Sequence, residues 1–454
     1  MTCSVIILAA GQGSRMRSKL PKVLHKLAHR SLLEHVWAAA NPLKPAKTCI
    51  VYGHGGDQVR EHLQDSRVEW AEQAEQLGTG HAVAQAMPYI PESGKVLILY
   101  GDVPLIKTTT LEMMLEQCSD SAMSLLTIEF DNPQGYGRIV RDNNQKVTSI
   151  VEHKDATEAQ LTINEINTGI MCVPTQQLSQ WLAKLSNNNA QGEYYLTDII
   201  AMAVGDKIAI NTVSATNSHE VEGVNDRQQL ARLERYYQAM QAEELMQQGV
   251  TLRDPARIDV RGEVACGQDV TIDINVIIEG KVDIGDGVQI GPNVILKDCS
   301  IGAGSIIEAN CVIEQAVVGK ECNVGPFARL RPGATLANRA KVGNFVEIKN
   351  ADIGEGSKVN HLSYIGDTTM GDNVNVGAGT ITCNYDGANK HRTIIGDNVF
   401  VGSNTAMVAP IKLGDGATIG AGSTLTVDAD AGALTLTRSK QKTLSGWKRP
   451  TKKK

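Results

Sequence analysis

The chain has 454 residues, more than one hydrophobic core ordinarily organises, so two or more domains are expected. Its net charge is −6, and its 44 lysines and arginines are dispersed except at the last few positions, which excludes a broad electrostatic footprint for nucleic acid. No run approaches the ~18 apolar residues of a membrane span, and nine scattered cysteines without a C-x-x-C pair fit a soluble protein of a reducing, cytoplasmic compartment better than a disulfide framework.

The opening run Val5 to Ala10 is too short for a secretory signal core, has no basic residue before it, and predicts a first strand. Cys49 to Tyr52, Val96 to Tyr100 and Ser124 to Ile128 predict further strands, and their alternation with helical patterns predicts βαβ units around a mostly parallel sheet. The first strand runs directly into Leu8-Ala9-Ala10-Gly11-Gln12-Gly13-Ser14-Arg15-Met16, with Lys22 one short loop later. Glycine lets backbone approach a phosphate, so N–H groups together with Arg15 and Lys22 suit a polyphosphate at the carboxyl end of a strand. The third glycine of a dinucleotide fingerprint is missing, since Met16 stands there, and no Gly-Lys-Ser/Thr occurs. These residues alone fit an ordinary glycine turn equally well. Tyr100-Gly101-Asp102 ends another apolar strand with a carboxylate, which suits Mg²⁺ shared with an amide oxygen such as that of Asn225 and also suits a plain turn or helix cap.

Taken together, residues 1 to about 228 resemble the sugar nucleotidyltransferases. The signature of that family is present with Ser14 in place of Thr, which keeps the hydroxyl. The resemblance implies a Rossmann-like α/β domain in which Leu8, Ala9, Ala10, Gly11, Lys22, Gln73, Gly78, Thr79, Tyr100, Gly101, Asp102, Gly137, Glu152, Asn167 and Asn225 contact nucleotide and sugar. It also implies catalytic roles for Arg15 and Lys22, and Mg²⁺ on Asp102 and Asn225.

From Asp226 to Gly249, Leu230, Leu233, Tyr237, Met240 and Leu245 recur at helical spacing, predicting one long amphipathic helix between two sequence textures. Beyond about Thr251 the unit is six residues. Aliphatics stand at Val318, Val324, Leu330, Leu336, Val342 and Ile348, with shorter runs at Ile284, Ile290, Leu296 and at Ile353, Val359, Ile365, separated by single-residue slips. The period returns at Ile395, Val401, Met407, Leu413, Ile419 and Leu425. One inward aliphatic followed by a small residue describes one side of a triangular coil, so the prediction is a parallel β-helix interrupted by an external loop at Cys383 to Thr393.

Polar residues that break this monotony are the candidates for chemistry. His361 is the one histidine in the strict coil, with Asn360, Tyr364 and Asn375 a coil or less away, and an imidazole suits proton removal from an attacking amine. A structural histidine is the plainer reading of that residue alone. Arg331 and Lys349 stand one coil apart where a sugar phosphate suits them, and the interruption carries Asn384, Tyr385 and Lys390. This half resembles the hexapeptide acyltransferases, which implies a left-handed coil, assembly as a homotrimer and use of acetyl-coenzyme A. The implied cofactor contacts are Ala378, Asn384, Tyr385, Ser403, Ala421 and Arg438, with sugar phosphate on Arg331, Lys349, Tyr364 and Asn375.

Joined in this order, the halves resemble bacterial bifunctional transferases over nearly the whole chain. The implied domains are 1–227 for uridylyl transfer, a helical linker at 228–249, and an acetyltransferase β-helix with its tail at 250–454. The implied chemistry acetylates glucosamine-1-phosphate from acetyl-coenzyme A with His361 as base, then transfers uridylyl from UTP to N-acetylglucosamine-1-phosphate, giving an envelope-polymer precursor. Two rivals stand beside it. In one the β-helix is only an oligomerisation or regulatory arm of a monofunctional nucleotidyltransferase. In the other it is a scaffold for partner proteins, with the basic Lys448 to Lys454 tail as an anionic contact, although a solvated tail is the simpler reading.

Overall fold

The structure is a computed structural model that describes residues 2–53 and 55–452, so the last two lysines of the tail lie outside the described residues. It divides into two compact units, Met1–Tyr237 and Gln238–Lys454. No helix among the described residues is long and apolar enough to cross a membrane.

In the first unit the strand Cys3–Ala9 is central. Val5, Ile7 and Ala9 enter one core and Ile6, Leu8 and Ala10 the other, so the strand is apolar on both faces, as a strand covered by helices on each side must be. It pairs in parallel with Lys47–Tyr52 and with Lys95–Tyr100. The expected mostly parallel sheet is more mixed than its apolar runs suggest. Glu165–Pro174 runs antiparallel between Lys95–Tyr100 and Ala122–Glu129 and also joins the hairpin of Arg138–Arg141 and Val147–Val151. Runs of buried aliphatics do not encode strand direction, and connection geometry decides it here.

The helix Arg227–Gln247 starts where Asp226 Oδ1 accepts from the backbone of Gln228 and Gln229, and ends at Gly249 with φ 96°. The two units divide within it. Leu233 is buried in the first unit with Met16, Leu27, Leu32, Leu105 and Val224. In the second unit Ala242 and Leu245 enter the coil's core, and Gln238 both donates to the carbonyl of Val260 and accepts from its N–H, satisfying both backbone groups of that residue in the opening coil.

The second unit is a parallel β-helix. Val324, Val342, Val359, Val376, Val401 and Ile419 stand level in successive coils on one side, with Leu330, Ile348 and Ile365, and Leu336, Ile353 and Met370, on the other two. Corners turn on residues with positive φ: one column contains Asn293, Asn310, Phe327, Phe345, Leu362 and Gly379, another Glu321, Arg339 and Asn373. The single-residue slips have a structural cause. They fall at third-corner positions closed by Asp298, Gln315, Asn350 and Asp367, all in left-handed backbone with φ of 45–47°, where one residue fewer makes the turn. Ile348 is fully buried in this core, so Ile348→Ala is expected to destabilise the unit by about 2–5 kcal/mol, read as a lowered denaturant midpoint.

Candidate active sites

At the carboxyl edge of the first unit's sheet a cavity of about 300 Å³ is lined by Leu8, Ala9, Ala10, Gly11, Lys22, Gln73, Gly78, Thr79, Tyr100 and Asp102, together with Val23, Gln76, Ala82 and Glu193. Ten candidate residues from distant parts of the sequence therefore meet. Lys22 Nζ contacts the Asp102 carboxylate and lies 3.3 Å from Asn225 Oδ1. A carboxylate and an amide oxygen converging on one cation is a donor set that fits Mg²⁺, which takes its remaining ligands from phosphate and water. Arg15 is exposed on the turn Ser14–Met16 and does not line the cavity.

Gly78 has φ 108°, and a Cβ there would meet the backbone oxygen of Tyr194 at 2.7 Å, so glycine is required both by conformation and by space. The neighbouring backbone is fixed by bonds from Tyr194 N–H to Leu77 O and from Gly80 N–H to Tyr194 O, each 2.8 Å. Val23, Ala82 and Glu193 carry no signal in sequence, because only this tertiary clamp brings Glu193 to the cavity.

Gly137, Glu152 and Asn167 form a second group that does not line the cavity but is connected to Tyr100. Asn167 N–H donates to Gly137 O at 2.9 Å, Gly137 abuts Glu152, and Asn167 Oδ1 accepts from Gly169, which packs against the Tyr100 ring. Burial holds the Tyr100 phenol well above its ordinary range. Burial also raises the Glu152 carboxyl, as do Asp155 and Asp198, against the hydrogen bond from Thr197 Oγ1 at 3.1 Å.

In the second unit Arg331, Lys349, Asp367, Asn384 and Lys390 gather at one corner. Arg331 pairs with Glu347 at 2.7 Å. Asp367, 8% exposed, accepts from Asn350 Nδ2 at 2.5 Å and from Asn384 Nδ2. Burial would raise the Asp367 carboxyl, but Asn350, Asn384, Lys349 and Lys390 outweigh it and hold it below its usual range. Lys390 beside Lys349 lowers the latter's ammonium pKa. Asp367 was not singled out by sequence; the slip in the repeat at this corner was the available signal. The Tyr364 hydroxyl lies 3.4 Å from Asn384 Nδ2 and over Gly366, where an added Cβ would meet that hydroxyl at 2.4 Å.

His361 is exposed at another corner, and its Nδ1 lies 2.8 Å from Asn344 Oδ1. The amide oxygen only accepts, so Nδ1 carries a proton, and in the neutral ring the lone pair belongs to Nε2. From His361 the same corner continues coil by coil: Gly379 N–H donates to His361 O, Asn404 N–H to Ala378 O and Gly422 N–H to Ser403 O, and Arg438 lies against Gly420 and Gly422. Ala378, Ser403, Ala421 and Arg438 thus line up as one column of small residues ending in a cation. Tyr385 projects from the interruption with 61% of its surface exposed. Asn375 stands on a different side, level with Lys358 and Phe400, and a single chain does not bring it to Arg331 and Lys349.

Three families match parts of the chain: the MobA-like NTP transferase domain over residues 5–159, the GMPPB C-terminal domain over 260–338, and the hexapeptide repeat of succinyl-transferase over 392–427. The chain is therefore a two-part transferase, a nucleotidyltransferase domain followed by a hexapeptide-repeat domain. Relatives named bifunctional protein GlmU match it nearly end to end: 58% identity over 448 residues in Marinobacter nauticus, covering 99% of both chains, and 58% over 450 residues in Thiobacillus denitrificans, covering 99% and 98%. One from Acinetobacter baumannii is 57% identical over 452 residues, covering 100% of this chain and 99% of its own. The chain belongs to the bifunctional GlmU family. Among solved structures, a Bacillus anthracis protein described as a glucose-1-phosphate thymidylyltransferase aligns at 19% identity with a TM-score of 0.42, covering 51% of this chain and 94% of its own.

Because folding raises the Glu152 pKa, this carboxyl stabilises the fold while protonated, and the contribution is lost as pH rises through the folded value. Glu152→Gln, neutral throughout, is expected to have a higher urea midpoint than the parent at neutral pH. The difference should close below about pH 4.5, the ordinary glutamate value.

Proposed function

We propose that the chain makes UDP-N-acetylglucosamine in two steps at two separate sites, an acetyl transfer in residues 250–454 and a uridylyl transfer in residues 1–227, with 228–249 as the linking helix. In the first, the amine of glucosamine-1-phosphate attacks the thioester carbonyl of acetyl-coenzyme A. His361 Nε2 takes the amine's proton, the carbon–sulfur bond breaks, and the proton passes to the departing thiolate. Arg331, Lys349, Tyr364 and Asn375 hold the sugar phosphate. Asn384, Tyr385, Ala378, Ser403, Ala421 and Arg438 hold the coenzyme along the corner column.

In the second step a phosphate oxygen of N-acetylglucosamine-1-phosphate attacks the α-phosphorus of UTP, and the α–β anhydride breaks to release pyrophosphate. Lys22, Arg15 and the Leu8 to Gly11 backbone neutralise and align the triphosphate. Gln73, Gly78, Thr79, Tyr100, Gly101, Gly137, Glu152 and Asn167 seat the uridine and the sugar. Mg²⁺ on Asp102 and Asn225 supplies further charge neutralisation when bound. The chain works in the cytoplasm, where both nucleotide and thioester are available.

The observation that carries the second activity over a merely structural arm is the His361–Asn344 pair, which makes Nε2 the basic nitrogen of the neutral ring beside a column fit for a thin cofactor. Asp102→Ala is expected to abolish uridylyl transfer while leaving thiol release from acetyl-coenzyme A within about twofold, and His361→Ala to do the reverse. Loss of both activities in either variant would contradict two independent sites.

Assembly as a homotrimer, with one site shared between copies, is part of the same reading. Phe327, Phe345 and Leu362 occupy the corner column that Asn or Gly fills elsewhere, at φ of 50–57°, and stay 50–64% exposed, with the two phenyl rings stacked at 5.2 Å. Left-handed backbone costs a side chain of this kind about 1–2 kcal/mol, so an apolar ridge held there implies a covering surface, and a second copy also supplies the Asn375 that one chain keeps apart. Phe345→Asn relieves the backbone and removes the ring. It is expected to shift the protein toward monomer in sedimentation and to lower acetyl transfer, while uridylyl transfer and the β-helix's melting are retained.

A further inference from the structure

We propose that His81 is a positioning residue that locks the Gln73 amide with its oxygen toward the nucleobase, so that the pocket selects a base bearing a ring N–H. This rests on the uridylyl-transfer reading of the cavity and goes beyond it to what sets base choice.

Gln73 is 4% exposed and lines the cavity. A carboxamide can turn end for end, which would exchange a donor for an acceptor at the base, so something must fix it. Its terminal nitrogen lies 3.0 Å from the carbonyl oxygen of Gly78 and 3.1 Å from Nδ1 of His81. The carbonyl only accepts, which makes the near atom nitrogen rather than oxygen. The second N–H of that nitrogen then points at His81, so Nδ1 is the unprotonated nitrogen and the imidazole proton resides on Nε2. The Gln85 amide nitrogen lies 3.1 Å from that Nε2, and since two N–H groups cannot bond each other, this tautomer requires the Gln85 amide to turn end for end and offer its oxygen.

Both Gln73 N–H groups are thereby consumed by the protein. The Gln73 Oε1 has no donor among the described residues, so toward the cavity the side chain offers an acceptor alone. Uracil and thymine carry a ring N–H at N3 to meet it, whereas cytosine turns a lone pair to the same place. The His81 ring is itself steadied by Tyr194, 6.4 Å away between centroids, the residue whose backbone also clamps Leu77 and Gly80. One segment therefore fixes both partners of the Gln73 amide. With His81 gone, one N–H of a buried amide has no acceptor, and the orientation that presents oxygen loses one of its two anchors.

The test compares UTP with CTP in pyrophosphate release by the full-length protein with N-acetylglucosamine-1-phosphate as acceptor. His81→Leu is expected to raise KM for UTP about tenfold and to cut the UTP-over-CTP preference by a similar factor, with kcat at saturating UTP kept within about twofold. Retained kcat also reports that the domain is folded. His81→Asn, whose Oδ1 stands where Nδ1 stood, is expected to restore both values, and His81→Gln, whose amide reaches toward the Nε2 position, to leave them impaired. Unchanged KM and base preference in His81→Leu, or rescue by Gln as complete as by Asn, would overturn the role of His81. Absence of pyrophosphate release from UTP by the parent protein would instead remove the uridylyl-transfer reading, and this inference with it.

Discussion

Coil-on-coil pairing governs the second unit. Each side of a coil gives its N–H groups to the coil before or after it, and the interior is a close-packed column of single aliphatics, so neither backbone nor interior has capacity left for chemistry. Function is confined to corners and outward positions. There the backbone also permits departures: positive φ concentrates at the corners, and so do His361, Asn350, Asp367, Phe327 and Phe345. The external loop at 384–392 is accommodated by the same logic. Thr382 is fully buried in an inward position and its hydroxyl accepts from Gly366 N–H at 2.7 Å, replacing the ladder bond that the departing chain no longer provides.

In the first unit the comparable constraint is the double-sided burial of the central strands. Cys3–Ala9 and Lys95–Tyr100 are locked within the sheet, so their carboxyl ends deliver Ala10, Gly11, Tyr100 and Asp102 to one edge with little freedom. Residues from elsewhere are brought to that edge by single anchors. Lys22 is tied to Asp102 and Asn225, and Glu193 arrives because Tyr194 grips Leu77 and Gly80. The rigid members come from strands and the adaptable ones from loops, an arrangement suited to a polyphosphate that must be bound, reoriented and partly released.

Much of this was legible in sequence, for identifiable reasons. A six-residue period is unambiguous because neither helix nor ordinary strand produces it, and Leu8 to Gly11, Gln73, Gly78, Thr79, Tyr100 and Asp102 do line one cavity. What sequence left unread was tertiary. The antiparallel course of Glu165–Pro174 has no signature in its apolar run. Gln238 looked like one more polar position on an amphipathic helix, yet it is buried with both ends of its amide bonded to Val260. Asp367 is an acidic residue in a repeat full of them, and beyond the slip at its corner only the neighbouring Asn350 and Asn384 distinguish it. The slips read as irregularities in the period are the shortened corners themselves.

The charge arrangement at the Asp367 corner argues for an anionic occupant. Arg331 is neutralised by Glu347, and Asp367, bonded to two amide nitrogens, is the one carboxylate set against both Lys349 and Lys390, whose ammonium groups lie side by side. Two ammonium groups held together repel, a cost that an anion between them removes. An anion lying between the two ammonium groups converts that repulsive pair into a clamp. Glu347 and Asp367 limit how much positive potential the corner carries, which confines its pull to a small anion at this spot.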